Sequence, residues 1–126
     1  MSLPRPTDAE LSILRVLWDR GPSTVRQVHE VLSTEKDLGY TTALKTLQVM
    51  TDKGLVLRDD SERSHVYRAA RPEDETQRSL LGDLMERAFA GSASKLVMQA
   101  LQTRPASKAE LEAIRRLLDR VEGGAQ

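Results

Sequence analysis

At Gly54 the spacing of apolar residues changes from the 3.6-residue period of a helix to the two-residue period of a strand, and this change constrains the fold of the chain most. Upstream, Ala43, Leu47 and Met50 recur on one face of a helix predicted over Tyr40 to Lys53, and Gly54 supplies the residue that can stop it. Downstream, Leu55-Val56-Leu57-Arg58 and Ser64-His65-Val66-Tyr67-Arg68 are short and β-prone. Between them Asp59-Asp60-Ser61-Glu62-Arg63 has the composition of a turn, which predicts a two-stranded hairpin.

Two further helices precede these elements. The first element opens at Pro4-Arg5-Pro6-Thr7, where Thr7 and Glu10 make a capping box ahead of the apolar positions Leu11, Leu14, Val16, Leu17 and Trp18. Leu11, Leu14 and Trp18 have helical spacing, and Gly21-Pro22 ends the helix near Arg20. A second box, Thr24 with Gln27, opens a helix with the stripe Val25, Val28 and Leu32, which ends around Ser33 before a polar linker from Thr34 to Gly39. Three helices and a hairpin within about 70 residues follow the order of a winged helix-turn-helix domain, with the hairpin as the wing.

Arg71-Pro72 marks a boundary, giving a winged domain over 1–71 and a helical region over 72–126. One helix is expected from about Glu73 to Phe89, with Leu80, Leu81, Leu84, Met85 and Ala88 on its apolar side. After Gly91-Ser92 a shorter helix carries Leu96, Val97, Ala100 and Leu101. Beyond Pro105, Ser107 caps with Glu110 a last helix marked by Leu111, Ile114, Leu117, Leu118 and Val121. Three such helices are too thin to build a core alone. Either they fold back on their own winged domain or they meet a second copy of the chain, and symmetric association is the commoner solution. The residues expected at that dimer interface are Leu80, Leu81, Leu84, Leu96, Leu101, Leu111, Ile114 and Leu118. The expected fold class is therefore mainly α with a small β-hairpin: a winged helix-turn-helix domain plus a C-terminal three-helix dimerisation region.

Composition narrows the functional classes. Aromatic residues are 3% of the chain, so the core must be aliphatic, and cysteine is absent, which removes disulfides, thiolate catalysis and cysteine-based metal sites. No apolar leader stands at Met1 to Pro6 and no stretch approaches a membrane span, so a cytoplasmic protein without membrane contact is expected. His29 and His65 are too few and too separated for a metal site, and His65, beside Val66 and Tyr67, is expected to pack or bond to backbone. There is no glycine-rich phosphate loop and no Ser/His/Asp set at plausible spacing, so neither an enzyme nor a cofactor is expected. Nothing marks a small-effector pocket.

With Ala43, Leu47 and Met50 inward, the opposite face of the third helix offers Thr41, Thr42, Lys45, Gln48 and Val49. Such a face suits the major groove: threonines reach phosphates, bases or thymine methyls, lysine suits guanine or phosphate, and glutamine suits adenine. Arg26 and the hydroxyl of Ser23 or Thr24 are placed for phosphates at the start of the second helix, and Arg63 for a phosphate or the minor groove at the wing tip. The candidate DNA contacts are Thr24, Arg26, Tyr40, Thr41, Thr42, Lys45, Gln48 and Arg63. Each has a plainer role open to it. Thr41 and Thr42 can cap, Lys45 and Gln48 can be solvated, Arg63 can pair with Glu62 or Asp60, and Tyr40 can pack, as Trp18 is expected to. Net charge is against DNA: the chain is neutral, with eleven basic against ten acidic residues up to Arg71 and eight against nine beyond. A winged-helix module that binds protein without reading DNA is the alternative that neutrality favours.

The sequence resembles the penicillinase and methicillin-resistance repressors, the BlaI/MecI family of winged-helix regulators that also includes the copper repressor CopY. The resemblance runs through Pro6-Thr7-Asp8-Ala9-Glu10, Val16-Leu17-Trp18, Gly21-Pro22-Ser23-Thr24-Val25-Arg26-Gln27-Val28, Tyr40-Thr41-Thr42, Thr46-Leu47, Lys53-Gly54-Leu55-Val56 and the wing residues Arg63, His65, Val66 and Tyr67. It covers the first 70 residues strongly and the helical tail by pattern. It implies a homodimer on a palindromic operator that blocks transcription, relieved when an upstream sensor protease triggers cleavage in the dimerisation region. The Asn-Phe pair cut in those relatives corresponds to Gln99-Ala100 and is not matched, and the cysteine cluster of the copper regulators is missing. Family members often carry Thr at Lys45 and Arg at Val49, which allows the operator sequence to differ from theirs.

Overall fold

The computed structural model describes residues 5–35 and 37–124; Pro4 in the expected opening segment and Lys36 in the expected linker lie outside them. Capping boxes set the first two helices. Thr7 Oγ1 accepts from the Glu10 N–H and the Glu10 carboxylate accepts from the Thr7 N–H, opening α1 over Asp8–Arg20. Thr24 and Gln27 repeat the exchange at the head of α2, Val25–Ser33. The third helix, α3, spans Tyr40–Lys53. Gly54 ends it at φ 80°, a left-handed conformation that costs a side-chain-bearing residue energy, and the Leu55 N–H returns to the Met50 carbonyl at 2.9 Å.

A three-stranded antiparallel sheet completes the winged domain, where two strands were expected. The hairpin strands are β2, Val56–Asp59, and β3, Val66–Ala69, each beginning one or two residues later than the sequence spacing indicates. The added strand, β1, is only Ser23–Thr24; it pairs with β3, Ser23 opposite Tyr67 and Thr24 opposite Val66, so the sheet order is β1-β3-β2. This pairing stitches the head of α2 to the wing.

The core of this domain is Ile13, Leu14, Val16 and Leu17 of α1, Val25, Val28 and Leu32 of α2, Ala43, Leu47 and Met50 of α3, and Leu55, Val56 and Tyr67. In α1 the most buried residue is Ile13, which the Leu11, Leu14, Trp18 spacing passes over; Leu11 and Trp18 are half-buried at the margin. Trp18 is structural, its Nε1–H donating to the Arg71 carbonyl at 3.0 Å.

The chain divides into two compact units, residues 1–82 and 83–126. Beyond the sheet the regular elements among the described residues are all helices: α4 Glu73–Phe89, α5 Ala93–Thr103 and α6 Lys108–Gly124. Ser107 and Glu110 cap α6 reciprocally, as their spacing indicates. None of these three helices contains a buried residue. Among the described residues no helix is long and apolar enough to cross a membrane.

Candidate nucleic-acid interface

The outward face of α3 is made by what its inward face requires. Ala43, Leu47 and Met50 are fully buried, and the helical period then turns Thr41, Lys45 and Gln48 to the opposite side, where all three are exposed. Thr42, also exposed, flanks them. The two threonines do not cap the helix: its N-cap is Gly39, which makes no side-chain bond, and among the described residues neither hydroxyl has a partner. Thr46 and Thr51 differ, donating to the Thr42 and Leu47 carbonyls one turn back at 2.8 Å. The first turn of α3 thus presents uncommitted hydroxyls together with backbone N–H groups, at the helix end where negative charge is favoured.

A second group gathers beside it. Thr24, Arg26, Tyr40 and Arg63 line one concave surface of about 440 Å³ between the heads of α2 and α3 and the wing, together with Leu44, Ser64, His65 and Tyr67. The β1–β3 pairing makes this surface, since it holds the start of α2 against the strand that follows the wing tip. The Thr24 hydroxyl is already engaged as the α2 cap, accepting from the Gln27 N–H at 3.2 Å, and retains only its donor. Tyr40 does both things open to it. Its ring stands edge-on to His29 at 5.9 Å, yet the residue is 48% exposed.

Charge pairing at the wing leaves the cations of this surface free. Asp60 is taken by Arg58 at 2.8 Å, and that hydrogen bond, with a contribution from the Tyr67 hydroxyl, raises the guanidinium above its ordinary value. Asp59 turns the wing by accepting the Ser61 N–H at 2.9 Å, which holds its carboxyl below its ordinary value. Arg63 pairs with neither Asp60 nor Glu62, and among the described residues Arg26, Lys45 and Arg63 form no ion pair.

Two side chains depart from the sequence reading. His65 neither packs nor bonds to backbone: it stands exposed just before β3, Nδ1 3.6 Å from Asp60 and on the concave surface. The alternation around Val66 and Tyr67 is real, but the strand starts after His65. Glu10 is buried, its side chain 4% exposed, with Lys53 Nζ at 2.9 and 3.1 Å from its two oxygens. Burial pushes its carboxyl up, but the Thr7 N–H and the Lys53 ammonium outweigh burial and leave it below its ordinary value. The capping box singles out Glu10 as a cap; its second partner, 43 positions along the chain, has no local signature. Among the described residues no group of His, Asp or Glu could hold a metal ion.

A family model described as penicillinase repressor matches residues 6–120. The transcriptional regulator BlaI of Mycobacterium tuberculosis is 37% identical over 124 residues, covering 97% of this chain and 88% of that protein. Among solved structures, the DNA binding domain of the repressor BlaI superposes with a TM-score of 0.52 at 25% identity, over 60% of this chain and 93% of that one. The monomeric form of Bacillus licheniformis BlaI in complex with the blaP half-operator shares the fold, with a TM-score of 0.52 at 24% identity over 59% of this chain and 90% of that one.

Proposed function

Because the chain belongs to the penicillinase repressor family, we propose that it works in the cytoplasm as a homodimer that binds a two-fold symmetric operator and represses transcription by excluding polymerase. The family is one of transcriptional repressors rather than enzymes. The observation that carries the reading is free chemistry on the outward face of α3 and the concave surface beside it: among the described residues the Thr41 and Thr42 hydroxyls are unbonded and Arg26, Lys45 and Arg63 are unpaired, in a chain with no net charge. Thr41, Thr42, Lys45 and Gln48 face the major groove, where the threonines and Lys45 meet bases or phosphates and Gln48 reads adenine. Thr24, Arg26 and Tyr40 hold phosphates, and Arg63 holds a phosphate or enters the minor groove. Residues 72–126 form the dimerisation region. Its apolar residues are without a core of their own, with Leu84 50% and Leu118 59% exposed.

Relief by a sensor protease or by another signal belongs to this reading, and the unmatched Gln99-Ala100 bond weighs against the cut made in the relatives. Gln99 and Ala100 are exposed but lie within α5, and the Gln99 carbonyl accepts from the Thr103 hydroxyl, so cleavage there requires the helix to open locally.

Selection from a random duplex library, followed by binding of the enriched site against scrambled DNA as salt rises, tests the proposal. A two-fold symmetric site, bound by a dimer and weakened by Thr42→Ala or Lys45→Ala, is expected. No enrichment, with residual binding that vanishes at modest salt, would transfer the case to a protein-binding module.

A further inference from the structure

One outward residue of α3 cannot make a polar contact. Val49 is 46% exposed, on a face whose other members, Thr41, Thr42, Lys45 and Gln48, are all hydrogen-bonding residues. A single exposed valine is ordinary on a protein surface. On a face that enters the major groove it is not neutral, because the groove offers one apolar feature, the C5-methyl of thymine. Position and stiffness both suit that contact. Val49 lies one turn beyond Lys45 and two beyond Thr42, and a β-branched side chain in a helix is held close to one rotamer, so it is pre-set for packing. Asp52, exposed in the following turn, carries a charge that phosphates repel, so the DNA-facing stretch closes at Val49.

We infer that Val49 is a specificity-determining residue that selects a thymine by packing on its C5-methyl, about 6 Å along the helix from Lys45. The inference rests on the repressor reading above.

Replacing each thymine of the selected operator by deoxyuridine removes that methyl and nothing else. The full-length protein is expected to bind roughly fourfold more weakly when one particular thymine per half-site is replaced, the worth of one buried methyl. Val49→Ala is expected to bind the thymine and uracil versions equally. Equal binding of both proteins to scrambled DNA, together with the favourable helix propensity of alanine, guards against a folding defect. Uracil replacements that weaken both proteins alike, or weaken neither, overturn the inference and leave the repressor standing, as does a selected half-site without thymine near the Lys45 contact. Failure to enrich any site overturns both.

Discussion

The Glu10 carboxylate receives the Thr7 N–H through one oxygen and the Lys53 ammonium through both, which joins the first turn of α1 to the last turn of α3. Because its folded value lies below the ordinary 4.5, the stabilisation is complete at neutral pH and is lost as pH falls from about that value through the lower folded one. Glu10→Gln keeps an oxygen for the Thr7 N–H but loses the charge. It is expected to lower the unfolding free energy at pH 7 by about 1–2 kcal/mol. Denaturant titrations between pH 7 and 3 should show a shallower acid decline than the parent, and parallel declines would show that the pair contributes nothing linked to protons. On the DNA side, Lys45→Ala separates two contacts. If Lys45 holds a phosphate, the slope of log affinity against log salt falls by about 0.9 with sequence preference unchanged. If it reads guanine, preference relaxes at one operator position, by about 1–3 kcal/mol. Binding isotherms at four salt concentrations on the operator and on single-base variants distinguish them.

Gly54 governs how α3 hands over to the wing. A Cβ there meets nothing within 4 Å, so the cost of Gly54→Ala is purely that of the backbone, held at φ 80°. A loss of about 1 kcal/mol is expected, read as a lower urea midpoint at unchanged slope. This element was legible in advance, as were the three helices, because capping boxes, a C-terminal glycine and helical spacing are all local signals. Ala43, Leu47 and Met50 faced inward as read, and that alone fixed which residues of α3 face out. What escaped has a common cause in contacts that are distant along the chain. Ser23–Thr24 is too short to show a period and is a strand only because β3 lies beside it. Glu10 reads as a solvated cap until Lys53 is beside it. His65 reads as packed or backbone-bonded because alternation from the buried Tyr67 places it on the inward face, but β3 begins only at Val66 and His65 stands before it. The concave surface shared by α2, α3 and the wing depends on that unforeseen β1–β3 pairing, so the sequence supplied its residues without its shape.

At the scale of the molecule, the two halves differ in what they bury. The winged domain encloses a core, whereas α4, α5 and α6 bury no residue and leave Leu81, Leu84, Val97, Met98, Leu101, Leu117, Leu118 and Val121 largely exposed. Apolar exposure on this scale marks an interface, and the homodimer proposed above would cover it. A charge at Leu84 or Leu118 then has a specific consequence. Leu84→Asp or Leu118→Asp should turn a dimer into a monomer in sedimentation equilibrium while the winged domain keeps its own fold. The parent's melting temperature should rise with protein concentration and the variants' should not. Operator affinity should fall on the order of 10²–10⁴-fold, because the second half-site is no longer held near its partner domain, while affinity for an isolated half-site stays the same. Equal losses on whole and half sites would instead locate the damage in the winged domain. A variant that remains dimeric would show that these leucines do not carry the interface.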